Sequence, residues 1–594
     1  MKMKKISFSK IAFIVAFGMV SYSCSDEFLT KPALGSLSDV QLSTKAGVQN
    51  LLIGAYAALD GNGVGAASAW DAAADNWIYG SIAGGDAKKG SDGADQPGIN
   101  SIMIYSAGPS NGFFNSKWKA AYEGINRANS VLKFVPLVTS NITDVEKKNF
   151  EAEARFLRGH YYFELKKMFN KVPWVDETTE DPAAVTNEAD IWGNIEADFQ
   201  FAMDNLPATQ AEVGRTNKWA AAAYLAKTLL YQKKYAPAKV IFDQVIAQGV
   251  TSSGTKYSLM PKFQDNFDAA KKNMEESVFS VQMAANDGTN TIDNANTGGM
   301  LNFPYNSPFR CCGFYQPSLD LANSFKTDAG GLPLMDTYKA TPIKNDMGVK
   351  SEVAFTNDNA IPLDPRIDWT VGRRGIPFLD WGTHPGQAWI RDQTYAGPYS
   401  PKKNMYWQAT QDKYSDQHSW APGTAINVQI IRFADVLLMA AEAEAQLGNL
   451  DKAQEYVNRV RARAAKPGSL VYTYADNTKP MGGFTNTPAA NYKIAEYPAG
   501  SFTGKGKDGA LKAIYFERKL ELAMEGHRFF DLSRWGIADQ ELNAYIAYES
   551  KLTPDVNGGN FIKGVHEYYP IPQRQIDLST KNGVSSLKQN PGYQ

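Results

Sequence analysis

Two stretches of the chain, 217–249 and 432–464, carry the same pattern, and it restricts the fold more than any other feature of the sequence. In the first, Trp219, Ala223, Leu225, Ala226, Leu229 and Tyr231 stripe one helix. A turn at Lys233-Lys234-Tyr235 follows, and Ala238, Phe242, Val245 and Ile246 stripe a second. In the other, Ala434, Leu437, Leu438, Ala441 and Ala445 precede the turn Gly448-Asn449, and Ala453, Val457, Val460 and Ala464 follow it. Apolar residues three and four apart make amphipathic helices. Small side chains late in the first helix and early in the second let the two backbones approach closely.

Both units resemble tetratricopeptide (TPR) repeats of about 34 residues, which bury their apolar faces by stacking on neighbours. The expected fold is all-α. A TPR-like helical scaffold covers about 118–249, 429–465 and 508–546. Loop-rich insertions at about 60–112 and 250–428 hold most of the Gly, Pro, Asn and aromatic residues. An amphipathic helix is also expected near 48–59, on Val48, Leu51, Leu52, Ala55 and Leu59.

The first residues read as a targeting segment. Lys2, Lys4, Lys5 and Lys10 are followed by a short apolar run, Ile11 to Val20, and then by Ser21-Tyr22-Ser23-Cys24. That run is too short to cross a bilayer core of about 30 Å. A cysteine behind a small residue resembles a bacterial lipoprotein cleavage site. Residues 1–23 would then be removed as signal peptide, Cys24 would carry lipid, and 24–594 would form one domain. Ser25-Asp26-Glu27 resembles an acidic surface-export signal. A net charge of −1 offers no field for nucleic acid, so no nucleic-acid partner is expected. The remaining cysteines, Cys311 and Cys312, are adjacent, which excludes a CxxC pair or a four-ligand zinc site. A vicinal disulfide and two buried thiols both remain open.

Two helical motifs invite a catalytic reading and are better explained by structure. In EAEARFLRGHYYFELKKMF (151–169), Ala154, Leu157, Tyr161, Leu165 and Met168 form a core stripe, and His160 lies beside Tyr161 as a structural residue. In ERKLELAMEGHRFFDLSRWG (517–536), Glu517, Glu521 and Glu525 fall on one face at steps of four, with His527 and Asp531 nearby. Interleaved Arg518, Arg528 and Arg534 point to ion pairs rather than metal binding. The five histidines are scattered, no HExxH or GxSxG occurs, and no metal or cofactor is expected.

These two motifs, together with YYPIPQRQIDL (568–578) and Gln589-Asn590-Pro591-Gly592-Tyr593, resemble the SusD/RagB family in sequence and in order. Further matches are WKAAYEGINRAN (118–129) and IRFADVLL (431–438). The resemblance implies a SusD-like helical fold with four TPR-like units. It implies a surface-exposed, lipid-anchored outer-membrane protein that binds oligosaccharide and caps a SusC-like TonB-dependent barrel, not an enzyme. Adjacent cysteines resemble a feature of fructan-binding members.

A neutral glycan site needs aromatic faces flanked by planar polar groups on loops. Three regions offer them. The first is Asp60, Asn62, Asp75, Trp77, Asp86 and Tyr105. The second is FPYNSPFRCCGFYQ (303–316), around Cys311 and Cys312. The third is 364–407, with Arg366, Arg373, Arg374, Trp381, Trp389, Arg391, Tyr395, Tyr399, Tyr406 and Trp407. Five of the 12 Trp lie between 369 and 420, which draws attention to this stretch. Gly372-Arg373-Arg374-Gly375 is expected to be a turn presenting two guanidinium groups. The same aromatics could instead pin long loops to the scaffold. A glycoside hydrolase, with two carboxylates about 5–9 Å apart, and a peptide-binding TPR adaptor are the rival functions.

Overall fold

The structure, a computed structural model, describes residues 38–61, 68–289 and 291–593. Its helices of eight residues or more are α1 (Lys45–Ala57), α2 (Gly112–Phe134), α3 (Asp144–Phe169), α4 (Trp192–Asn205), α5 (Lys218–Tyr231), α6 (Tyr235–Gln248), α7 (Phe433–Gln446), α8 (Leu450–Ala464), α9 (Ser501–Glu521), α10 (Arg528–Trp535) and α11 (Ala538–Glu549). Short strands join them: β1 (Ala87–Gly90) pairs antiparallel with β3 (Phe314–Pro317), and β2 (Ser277–Val281) with β4 (Val428–Arg432).

From α2 to α9 each helix packs on the next in chain order, the pattern of a TPR-like scaffold. The two expected hairpins are present as α5–α6 and α7–α8. Ala221, Ala222, Ala223, Ala226, Ala238, Ala441, Ala445 and Ala453 are fully buried, which permits the close approach. Starts are capped in the usual way. Asn217 accepts from Ala220 N at α5, and Thr143 with Glu146 forms a capping box at α3.

Helix α6 packs directly on α7, so residues 249–432 leave the scaffold and return to it. The β2–β4 pair closes the base of this excursion, one strand from its early part and one from its end. Helix α3 is more deeply set than a one-sided stripe would be. Phe156, Tyr162 and Phe163 are buried along with Leu157, Leu165 and Met168, because α2, α4 and α1 all pack on α3. His160 is buried there, its Nδ1 2.8 Å from the Tyr224 hydroxyl. Burial pushes the imidazole down to about 4, so it is neutral at pH 7.

Within the segment expected as loops at 60–112, residues 71–91 instead run through the core. Trp77, Ile78, Tyr79 and Ile82 are buried in one turn-rich helix, Trp77–Ile82. Its backbone touches the turn before α10 so closely that a Cβ on Gly80 would stand 1.8 Å from the Gly526 carbonyl oxygen, which only glycine avoids. The C-terminal motif fastens to the same region. The Tyr569 hydroxyl donates to Tyr79 O at 2.6 Å, and Asn590 Nδ2 donates to Phe169 O at 2.8 Å.

The carboxylate row after α8 is the electrostatic centre of the fold. Glu517 and Glu521 lie on α9, but Glu525 follows its end. Their partners come from elsewhere than the interleaved arginines. Arg366 pairs with Asp364 (2.6 Å), Glu517 (2.8 Å) and Glu521 (2.8 Å). Arg432 pairs with Glu276 (2.8 Å), Glu521 (2.5 Å) and Glu525 (2.8 Å). Arg461 reaches Glu517 at 2.8 Å, Arg463 reaches Glu276 at 3.0 Å and also pairs with Glu521, and Lys403 reaches Glu525 at 2.7 Å. Arg518 is used differently, on Asp435 (2.7 Å) and Asp531 (2.9 Å), and Arg534 on Glu442 (2.6 Å). Five cations thus face five carboxylates, with the insertion supplying Glu276, Asp364, Arg366 and Lys403. The network ties the insertion to the scaffold.

Candidate functional site

Most of the aromatic density in the insertion is packing. Phe303 and Phe309 stack at 5.8 Å and 3°, Phe309 meets Phe378, Trp381 and Tyr406, and all but Trp381 are buried. The Trp369 and Trp381 indole N–H groups donate to Ser469 O and Tyr406 O, each at 2.8 Å. These rings form a second, smaller core beneath the loops.

What this core holds up is an exposed surface built from four loops. Within 303–313, Phe303 and Phe309 turn inward, while Tyr305 is 37% exposed. Asn306 takes a positive φ in the turn between them, a conformation that asparagine tolerates. Arg391 lies over the Tyr305 ring at 5.5 Å and pairs with Asp92 and Asp95, each at 2.7 Å, while donating to Ser91 Oγ at 2.7 Å. Although partial burial opposes it, the backbone N–H groups of Ala94 and Asp95 and the Arg391 charge hold the Asp92 carboxyl below its usual range. Further along the same loop, Cys311 and Cys312 form a vicinal disulfide, Cys311 partly exposed and Cys312 buried. The preceding Arg310 donates to Ser419 O at 2.9 Å. Next to Ser419 stands Trp420, 50% exposed, with Trp70 edge-on to it at 6.0 Å. The residues on either side of the disulfide in the chain thus reach the two rings: Arg310 bonds Ser419 beside Trp420, and Gly313 stands against Tyr305, with Arg391, Asp92 and Asp95 close by.

The ten residues expected to bind ligand divide into those on this surface and those beneath it. Arg391, Cys311 and Cys312 belong to it. Tyr395 adjoins it, half-buried against Gly93, its hydroxyl donating to Asn100 Oδ1 at 2.8 Å. Asp60 is partly buried at the end of the α1 region, and Asn62 lies outside the described residues. The other four are corrected by their burial. Trp77 is fully buried, edge-on to Phe314 and Tyr315. Arg373 makes two 2.7 Å hydrogen bonds to Asp368, and Arg374 donates to the carbonyls of Val349, Lys350, Ser351 and Val353, so the turn folds both guanidinium groups inward. Tyr406 is 3% exposed in the small core. Asp86 is buried and accepts from Met524 N at 3.2 Å. Tyr305 was visible only inside the quoted motif, Trp420 only in the count of Trp between 369 and 420, and Trp70 was missed, because nothing local distinguishes an exposed Trp from a buried one.

Burial pushes Asp86 up to about 6. A carboxyl with a raised folded value favours the fold fully below its unfolded value near 3.9 and loses that contribution as pH rises through about 6. Asp86→Asn, neutral throughout, should therefore gain on the wild type by about 1–3 kcal/mol between pH 4 and pH 8. Urea unfolding at both pH values measures this, and an equal difference at the two would refute the assignment.

Two family models match the chain. SusD family covers residues 275–593, and a second, described as starch-binding associating with outer membrane, covers 38–230. The chain belongs to the SusD family. A SusD-like protein, P25, of Formosa agariphila is 26% identical over 481 residues, 78% of this chain and 76% of its own. Among solved structures, a SusD superfamily protein from Bacteroides vulgatus shares the fold with a TM-score of 0.65 at 20% identity, over 92% of this chain and 99% of that one. Surface glycan-binding protein A from Bacteroides thetaiotaomicron, solved in complex with laminarihexaose, gives 0.61 at 20% identity over 92% and 99%. The TPR-like helical scaffold is thus the fold of the family.

Proposed function

We propose that this chain is a surface glycan-capturing lipoprotein that passes oligosaccharide to a SusC-like TonB-dependent barrel in the outer membrane. The observation that carries the reading is the pair of exposed rings, Tyr305 and Trp420, on loops joined through Arg310 beside the Cys311–Cys312 disulfide, with Arg391, Asp92 and Asp95 at Tyr305. Ring faces take the C–H faces of sugars, and guanidinium and carboxylate groups take hydroxyls in pairs. The family supports it, through a description that names starch binding and the outer membrane and a member of the fold solved with laminarihexaose. The anchor would be Cys24, which lies outside the described residues.

Capture without cleavage is the better reading of the same groups. Asp92 and Asp95 are both engaged by Arg391, and the Asp92 carboxyl is held low, the reverse of what a general acid needs. Protein lacking residues 1–24, screened on a glycan array and then by calorimetry, should bind oligosaccharide reversibly with Kd between about 1 µM and 1 mM. Shorter sugars released from the bound ligand over hours would make it a hydrolase, and an array without a bound glycan would remove the reading altogether.

A further inference from the structure

We propose that the groove between residues 262–271 and the strand pair Tyr472–Tyr474 and Phe484–Pro488 is a second site for neutral glycan, so that one long chain is held at two places. This rests on the capture reading above, but on none of the same residues. The groove has a volume of about 380 Å³ and is lined by the rings of Trp407, Tyr472 and Phe484, with Leu379 and Val471 behind them. That size falls in the range of sites for small organic ligands, about 300–1,000 Å³. Phe484 is 41% exposed and is held in place by Tyr474, stacked on it at 5.2 Å and 26°.

The polar groups at the groove have bonding capacity that the chain does not use. The Asp265 carboxylate is half-buried, which raises its pKa, and it accepts no hydrogen bond among the described residues. Lys262 and Lys271 line the same groove without an ion pair among the described residues, where the Asp268 carboxylate accepts a hydrogen bond from Ala270 N alone. Trp369 and Trp381 spend their indole N–H groups on carbonyls, whereas that of Trp407 donates to none among the described residues. The exposed Lys262 and Lys271 balance the two carboxylates, and Lys402, the third cation lining the groove, is buried, donates to the Asp368 and Pro377 carbonyls and is pushed down by burial to about 7, so the groove suits a neutral sugar rather than a polyanion. The groove and the Tyr305–Trp420 surface border the same small core, since Trp407 follows Tyr406, which packs under Phe303 and Phe309. Two sites on one rigid body raise the effective concentration of a polymer at the second once it holds the first.

Affinity electrophoresis in gels of laminarin, soluble starch and inulin tests this with protein lacking residues 1–24. The wild type, Asp265→Asn/Phe484→Ala, Tyr305→Ala/Trp420→Ala and the fourfold variant are run together, with circular dichroism melts to show that each is folded. In the gel that retards the wild type, the groove variant should bind about tenfold more weakly, the loss expected from one ring face and one charged acceptor. The Tyr305→Ala/Trp420→Ala variant should keep residual retardation that the fourfold variant loses. A groove variant that runs with the wild type overturns the second site and leaves the capture reading intact. A wild type unretarded in all three gels overturns the second site for neutral glucan and fructan chains, while the capture reading stands or falls on the array.

Discussion

Glu521→Gln is expected to destabilise the protein by about 3–5 kcal/mol, the cost of removing one partner from a buried ionic network. Glu521 is fully buried and receives Arg366 at 2.8 Å, Arg432 at 2.5 Å and Arg463, so the substitution leaves three guanidinium groups short of an anion. Gln keeps the shape, which isolates the charge. Although burial alone would raise its pKa, Arg463, Arg432 and Arg366 hold the carboxyl far below the usual range. The stability it supplies is present above the unfolded value near 4.3 and is lost as pH falls from there toward the lower folded value. Urea midpoints at pH 7 should drop sharply in the variant, and its acid-side slope should be flatter than that of the wild type. A loss below about 1 kcal/mol would mean that the arginines find other partners and that the network does not tie insertion to scaffold.

Tyr305→Ala with Trp420→Ala should weaken glycan binding roughly 10- to 100-fold, as two stacking faces worth about 0.5–1.5 kcal/mol each are lost along with the area they bury. Both side chains are exposed, so the melting temperature should stay within a few degrees. That pairing of results separates a binding role from a packing one. Tyr406→Ala makes the contrast, because it removes a ring packed on Phe303, Phe309 and Trp381 and should cost about 3–5 kcal/mol of stability. Calorimetry with the glycan that the array identifies gives the affinities. Unchanged binding in the double variant would move the site off this surface.

The two hairpins were readable because helical period and small-residue placement are local properties, and α5–α6 and α7–α8 appear where those patterns lie. The adjacency of α6 and α7 was not readable, since the residues that join them, Lys239 and Glu444 at 3.2 Å among others, lie far apart in the chain. The site followed the same division. Motif density marked 303–316 and 364–407, yet Phe309 and Tyr406 went to the core and Tyr305 to the surface from the same stretches. Trp77 and Asp86 were drawn to the surface by a Gly- and Asp-rich composition that reads as loop. In the fold, that segment is irregular because it threads between helices, with glycine at the tightest approach.

The sequence by itself determined the helical hairpins, the carboxylate row that had to find cations, the adjacent cysteines and the family, because each depends on residue type at fixed spacing along the chain. Only the tertiary structure decided which arginines met those carboxylates and which aromatic rings were left facing solvent. The reason is that burial is a property of packing between distant segments. A Trp gains about the same free energy from any apolar neighbours it meets, so composition fixes how many rings must be covered but not which ones remain uncovered.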